Sequence, residues 1–596
     1  LTFACKFDAI KACHREHQLE NRNSIMKTNR FIVLRTRVAL ALFISAGMTF
    51  VLALSAGTVQ AQNTRNRPTP NTHQTFNGVI GPLTQSADTP LSEATFKNPP
   101  SPICSTSTSS ASNVDTDCEG IAPHNETTIA INPTNSLNRI GGANDYQFFL
   151  TPAGTFNETV ISRAHVTFDG GKTWTTYPVP ADGYTATGDP AIRFDAGGTA
   201  YYATLGFVFS QGLLGVTNPD ILVAHSTDGG KTWSTVRVAS GTGGAGAQFS
   251  PGTLNDKEYI AAWGNGNAIV TWTVFNLGIG GSFISSPIFA SVTHDGGNTW
   301  STPTEISGSA SFCIGAQGGT DCNQDQFSVP TVAADGSIYV AFENTADTLT
   351  CSLNGCRDQY LVVKVDPTTG ARIAGPHRVA GLIDGITDFP INIDGRQTYQ
   401  DSEFRSNSAG NITADPTDAA HLAVVWADMR NSTLPAPADP YSATTNCDVI
   451  VSQSFDRGKH WSAPTPIARA RDQFQPWGAY DATGKLRIGY FDRSYDAANH
   501  KYGYTLATET SAGSLTFTTT QLTTTLSDPT MHDHWFSGRT PNPAFPNPTT
   551  FLGDYSGIAA TSGVSALWTD MRLDVVSSFP PGRGPHGEDA FFAKHN

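Results

Sequence analysis

His225–Ser234 reads HSTDGGKTWS, and the chain carries three close copies of it: VTFDGGKTWT over 166–175, VTHDGGNTWS over 292–301 and QSFDRGKHWS over 453–462. An alternating apolar run precedes each copy: ISRAHVTF, DILVAHST, PIFASVTH and DVIVSQSF. Period-two alternation is the signature of a half-buried strand, and each copy continues past its Trp into another extended segment, so the unit is strand, tight turn, strand. The Asp of each copy (169, 228, 295, 456) is placed to accept hydrogen bonds from turn amides. A Gly supplies the positive φ where a side chain would clash, and the Trp folds back over the hairpin end. These duties are structural, and no copy is expected to do chemistry.

The first three copies recur about every 60–70 residues and the fourth follows after roughly twice that interval, as a repeat that has lost one signature would leave. The stretch FSVPTVAADGSIYVAFEN with QYLVVKVDPTTGARIAGPHRVA fills the gap with the same strand order. Two further unmarked modules start near Gln473 and Tyr555, and the last stops after about three strands. Four-stranded antiparallel modules at this period predict an all-β fold, a β-propeller over residues 120–596. Seven blades are favoured, starting near Glu126, Asp189, Asp256, Gln326, Asn411, Gln473 and Tyr555; merging two weak modules would give six. The short seventh blade needs a closing strand from residues 62–119, with TFNGVIG as its candidate.

Composition agrees. At 596 residues the chain exceeds one ordinary core, only 15% of residues are charged, and Gly (56) and Pro (36) are abundant. This is a turn-rich β composition. A formal net charge of -14 argues against nucleic acid or an anionic membrane as partner. Residues 1–25 read as an N-terminal extension outside the fold. From Met26 the sequence reads as a signal peptide over 26–61: the basic MKTNRFIVLRTR, the apolar VALALFISAGMTFVLALSAG, then VQA before Gln62. A retained anchor is the alternative, because the apolar run is long enough to span a bilayer. With the signal removed, no stable membrane insertion is expected, and the protein is secreted, periplasmic or on the cell surface. Residues 62–119 are a Pro/Thr/Asn-rich spacer. Export suits three closely spaced cysteine pairs, Cys104/Cys118, Cys313/Cys322 and Cys351/Cys356, with Cys447 left as a buried thiol.

The pattern S-x-D-x-G-x-T-W, here STDGGKTW, THDGGNTW, TFDGGKTW and SFDRGKHW, resembles the Asp-box of the sialidase (neuraminidase) superfamily. The resemblance implies a propeller whose Asp-boxes lie on the face opposite the active site. It also implies an extracellular glycan or glycoconjugate as partner and a sialidase-like glycoside hydrolase as function. The alternative is a non-catalytic propeller that binds extracellular polysaccharide or protein. A sialidase needs three arginines, a Tyr activated by Glu and an Asp acid/base. The family's first arginine sits in a Phe/Tyr-Arg-Ile-Pro motif, where this chain reads NETTIAINP without an Arg.

The opposite face is formed by the loops after second strands and before first strands. Three second strands end alike, in VVWADMR (Asp428, Arg430), IGYFDRS (Asp492, Arg493) and ALWTDMR (Asp570, Arg572). Their Asp and Arg either lock neighbouring blades together or grip a substrate carboxylate by forked hydrogen bonds. Tyr555 is the candidate nucleophile and Glu403 its partner. Carboxylates before first strands, Glu126, Asp189, Asp256, Asp325, Asp472 and Asp554, either accept backbone amide bonds or hold a hard cation. No cofactor is required; Ca²⁺ is the ion this ring would take, with Asp189, Asp256 and Asp554 as ligands. His532 and His534 form a second metal candidate, and Trp535, Tyr441 and Tyr495 are candidate sugar-stacking aromatics. N-terminal sequencing of the exported protein should start near Gln62, and non-reducing peptide mapping should recover the three local disulfides. Reduced or cross-paired cysteines would refute the pairing.

Overall fold

A strand of the first module cannot bury both its faces alone, and the chain solves this by setting seven small sheets side by side. The structure is a computed structural model. It describes Cys104–Ser105 and residues 112–596, except 118–122, 151–155, 210–215, 243–250, 346–356, 386–387, 394, 433–438, 468, 531–547 and 573–587. The proposed signal segment, TFNGVIG, Cys118, Cys351, Cys356, His532, His534 and Trp535 lie outside the described residues.

The seven sheets are antiparallel blades of a β-propeller. Their innermost strands are His124–Ile131, Ala186–Phe194, Gly252–Trp263, Asp325–Val332, Asn411–Ala414, Gln473–Tyr480 and Gly557–Ala560. Each packs against the next, and the seventh against the first, so the ring closes. Blade 7 has only three strands of its own. Its outer strand is Val114–Asp115, paired with Asp589–His595. Cys104–Ser105 adds a fifth strand outside blade 1. Cys313 and Cys322 form a disulfide beside blade 3, and Cys447 is a buried free thiol. Among the described residues no helix is long and apolar enough to cross a membrane.

The four Asp turns connect third to fourth strands. Asp228 Oδ1 accepts the amides of Lys231 (2.9 Å) and Thr232 (3.0 Å), while Oδ2 accepts the Thr232 hydroxyl at 2.7 Å. Asp169 repeats this with Lys172 and Thr173, and Asp456 with Lys459 and His460. Gly229 and Gly230 sit at φ +76° and +98°. In blade 5 the first of these positions is Arg457 at φ +67°, a strained choice for a side chain. Trp174, Trp233 and Trp461 each return an indole N–H to the carbonyl of their turn's second glycine.

That second glycine has a further role, because each abuts the preceding blade. A β-carbon on Gly230 would meet Ile140 of blade 1 at 2.7 Å, and one on Gly297 would meet His225 of blade 2 at 3.1 Å. On Gly171 it would run into Phe592 of blade 7, and on Gly458 it would come against Val362 of blade 4 at 3.6 Å. The turns therefore interlock blades as well as close hairpins. The unmarked blade 4 uses a simpler device, with Asp366 accepting the amides of Thr368 and Thr369.

Hydrogen bonds from the hydroxyl and amide of Thr299 hold Asp295 down at about 2. Burial works upward on Asp456, but the His460 amide and ring hold it at about 2 as well. A carboxylate depressed in the folded state stabilises above its unfolded pKa and loses that contribution as pH falls through the folded value. Asp228→Ala should cost about 0.5–2 kcal/mol, by analogy with lost helix caps. The melting-temperature deficit of Asp295→Asn should persist at neutral pH and vanish as the pH approaches 2. An unchanged melting temperature in either variant would contradict the assignment.

A candidate active site at the axial mouth

Five of the seven innermost strands carry a β-bulge at one position, seen as a register shift within the pairs Asn125/Thr128, Gly188/Ala191, Asp256/Tyr259, Gln326/Val329 and Phe474/Trp477. At each bulge a side-chain-bearing residue adopts positive φ: Glu126 (+54°), Asp189 (+56°), Lys257 (+53°), Phe327 (+54°) and Gln475 (+47°). Each such residue costs on the order of 1–3 kcal/mol, and repeated strain of this kind marks a site whose surroundings over-determine it. These bulges lie at the start of the first strands, on the face opposite the Asp turns. The far ends of all seven first strands line a cavity of about 270 Å³.

The bulges of blades 1, 2 and 3 converge on one ammonium group. Lys257 Nζ bonds Asp189 Oδ2 at 2.7 Å, Asp554 Oδ2 at 2.8 Å and Glu126 Oε1 at 3.1 Å. Arg405 forks onto Asp554, with Nε on Oδ1 at 2.8 Å and a terminal nitrogen on Oδ2, and the Asn407 amide donates to Oδ1 at 3.0 Å. Asn144 ties blades 1 and 2 together, donating to Glu126 Oε2 at 2.9 Å and accepting the Asp189 amide at 2.8 Å. Glu126, Asp189, Lys257 and Asp554 are all buried. A floor of Tyr259, Trp477 and Tyr555 packs with ring centroids 4.8–6.3 Å apart.

Burial and proximity split the protonation of these carboxyls. Burial, then the charge of Asp189, pushes Glu126 well above the ordinary range, with Lys257 opposing. Burial would raise Asp554 too, but Arg405 and Lys257 hold it below the usual carboxylate range. Asp256 and Glu258 flank Lys257, and neither carboxyl has a hydrogen-bond partner. Burial raises Asp256 to about 7 against Lys257, and it raises Glu258 well above its ordinary value. Burial lowers Lys257, yet four surrounding carboxyls keep it firmly charged. One cluster therefore holds a protonated acid in Glu126, an ionised carboxylate in Asp554 and two cations.

The residues singled out from sequence fall in different places. Asp189 and Asp554 meet, but around Lys257: the cation they hold here is an ammonium. Asp256 stands beside them. Asp325 is bonded by Asn344 and Asp472 by the Cys447 amide and Asn499, both away from Lys257. Arg430 closes on Asp428 of its own blade and on the Gly381 carbonyl of blade 4. Arg572 does the same with Asp570 and with Thr524 of blade 6. Asp428 and Asp570 also accept the indole N–H of Trp426 and Trp568, each at 2.9 Å. Arg493, fully buried, bonds the Gln400 carbonyl and Ser402, while Asp492 takes Arg469 at 3.0 Å. The three arginines share no partner. Tyr555 donates to the Pro190 carbonyl at 3.1 Å, and Glu403 accepts the Ile393 amide at 2.7 Å. Burial, then Glu126 and Asp189, pushes the Tyr555 phenol well above its ordinary value. The Tyr495 hydroxyl is bonded to Thr505, and Tyr441 lies in a short 3₁₀ turn. Sequence reasoning passed over Lys257, Glu258 and Arg405. The signal was the run NDKEYI, which places a lysine between two acids at the head of an apolar strand.

No protein-family model matches this chain, and no curated protein matches it. Among solved structures, it is similar to a protein of unknown function from Dyadobacter fermentans, over 81% of this chain and 97% of that one, at 12% identity and TM-score 0.41. It is also similar to an α-L-arabinanase of Penicillium chrysogenum complexed with arabinobiose (70% and 99%, 14% identity, TM-score 0.36). A third is a mutant NanB sialidase from Streptococcus pneumoniae (80% and 94%, 8% identity, TM-score 0.39).

A buried carboxyl raised in the folded state makes stability fall as pH climbs from its unfolded to its folded pKa. For Asp256 that window runs from about 4 to about 7. Asp256→Asn should therefore gain melting temperature over the native protein at pH 8 relative to pH 5. Lys257→Met leaves three buried carboxyl groups without their shared partner and should cost about 3–5 kcal/mol. Parallel melting profiles for Asp256→Asn and the native protein across pH 4–8 would contradict the assignment.

Proposed function

We propose that the protein is an exported glycan-processing hydrolase, sialidase-like in its blades, whose reacting groups are the carboxyls at the axial mouth. The observation that carries this reading is the dissimilar pair Glu126 and Asp189. Glu126 is held protonated by burial and by Asp189, while Asp189 keeps Oδ2 on Lys257 and leaves Oδ1 without a hydrogen-bond partner. Glycoside hydrolysis uses two carboxyls in different roles, one that holds a proton and one with an oxygen open to accept one. Glu126 would give its proton to the departing glycosidic oxygen as the C–O bond breaks, and Asp189 would take a proton from the water that attacks the sugar carbon. Asp554 is committed to Arg405, Asn407 and Lys257, so its role is to hold those cations in place. Lys257 and Arg405 in turn favour an anionic sugar such as a sialic or uronic acid.

The four sialidase-type turns support the glycan class. The chemistry differs from a tyrosine-nucleophile scheme: such a tyrosine needs its phenol made easier to ionise, and the Tyr555 phenol is made harder to ionise. The purified protein should be screened against fluorogenic sialosides, uronides and arabinosides. Glu126→Gln and Asp189→Asn should each lower kcat about 10²–10⁴-fold while keeping the native circular dichroism spectrum. Full turnover in Glu126→Gln would remove the cluster from the chemistry. Glycan binding with no turnover on any class would establish the non-catalytic alternative.

A further inference from the structure

The joint between blades 7 and 1 holds a second buried cluster that the proposed chemistry leaves unused. It comprises Asp117, just past the closing strand, His124 at the head of blade 1, Asp145 and Arg163 in the same blade, and Asp589 of blade 7. Each is at most 5% exposed. Asp117 Oδ2 touches His124 Nε2, Asp145 Oδ1 lies 3.2 Å from the same nitrogen, and Asp589 Oδ1 lies 3.6 Å from Nδ1. Arg163 Nε pairs with Asp145 Oδ2 at 2.9 Å. One donor atom each from Asp117, His124 and Asp589 lies within 4.8 Å of the others.

Two observations separate this arrangement from a histidine simply paired with acids. Despite the nearby carboxylates, neither ring nitrogen of His124 has an acceptor aligned with its N–H direction, and Asp589 Oδ2 has no hydrogen-bond partner. An imidazolium clasp would point its N–H groups at oxygens; here lone-pair donors crowd together.

We propose that Asp117, His124 and Asp589 bind a divalent transition-metal ion of the Zn²⁺ class, which locks the segment before blade 1 to blade 7. One imidazole with carboxylate oxygens is a donor set for Zn²⁺ rather than for Ca²⁺ or Mg²⁺, which prefer oxygen alone. Asp117 belongs to the segment that supplies the outer strand of blade 7, so the ion would be captured as the ring closes and would stabilise the closed state.

Elemental analysis of the purified full chain should find about one equivalent of Zn²⁺. Protein unfolded in guanidinium with a chelator and refolded without metal should melt several degrees lower. Added Zn²⁺ should restore the loss, and added Ca²⁺ should not. Asp117→Asn, a change outside the propeller's inner strands, should retain Zn²⁺ at least about tenfold more weakly. A native chain free of metal, with equal melting temperatures in both refolding arms, would overturn the proposal. Rescue by Ca²⁺ instead of Zn²⁺ would overturn the assigned class.

Discussion

A four-stranded blade has two apolar faces and only its two neighbours to bury them against, so a ring of blades depends on the joint where its last member meets its first. Here Gly171 and Trp174 of blade 1 close on Phe592, the Trp174 and Phe592 rings lying 5.0 Å apart at a steep angle. Arg139 reaches Ser565, Thr127 reaches the Leu567 carbonyl, and Asn125 reaches Glu588. Val114–Asp115 completes the sheet from outside. Without this joint, one face of blade 1 and one of blade 7 would be exposed, at about 25 cal/mol for each Å² of apolar surface.

The closed ring then sets the electrostatics of the axis. First strands arriving at one mouth bring Glu126, Asp189, Lys257 and Asp554 within ion-pair distance of one another. Acids alone would repel one another. Lys257 and Arg405 make the arrangement tenable, and the positive-φ bulges aim the side chains inward instead of along the strand. The strain is distributed over several blades, and the ring is rigid enough to hold it.

Features written in local chemistry were legible in the sequence. The Asp turns and the degenerate turn of blade 4 rest on residues within ten positions of one another, and the blade period follows from the spacing of those turns along the chain. The pairs Asp428–Arg430 and Asp570–Arg572 were legible as pairs, because residues two apart on a strand share a side. The same rule explains Arg493: Asp492 and Arg493 are adjacent, so they face opposite ways, and Asp492 turns to Arg469 instead. What could not be read was which acid reaches the axis. That depends on where each bulge falls, and the bulge residues are Glu, Asp, Lys, Phe and Gln rather than the Gly or Asn that usually announce positive φ. Asp256, Asp325 and Asp472 lie one to three residues ahead of their bulges, and they therefore point elsewhere. The partnership of Lys257 with acids from blades 1, 2 and 7 is a long-range fact that no local pattern encodes.

The seating of each turn's second glycine against the blade before it bears on how the ring assembles. Gly230 on Ile140 joins blades that are consecutive along the chain, whereas Gly171 on Phe592 joins blades at its two extremes, and the contact is of the same kind. The finished ring therefore does not distinguish covalent neighbours from distant ones. Connectivity acts on the order of events: joints between consecutive blades close short loops, while the seventh-to-first joint must close one spanning the whole propeller. That places the Phe592 seam last in assembly, and a circularly permuted chain opened between two other blades would move the late step to the new gap without altering the ring.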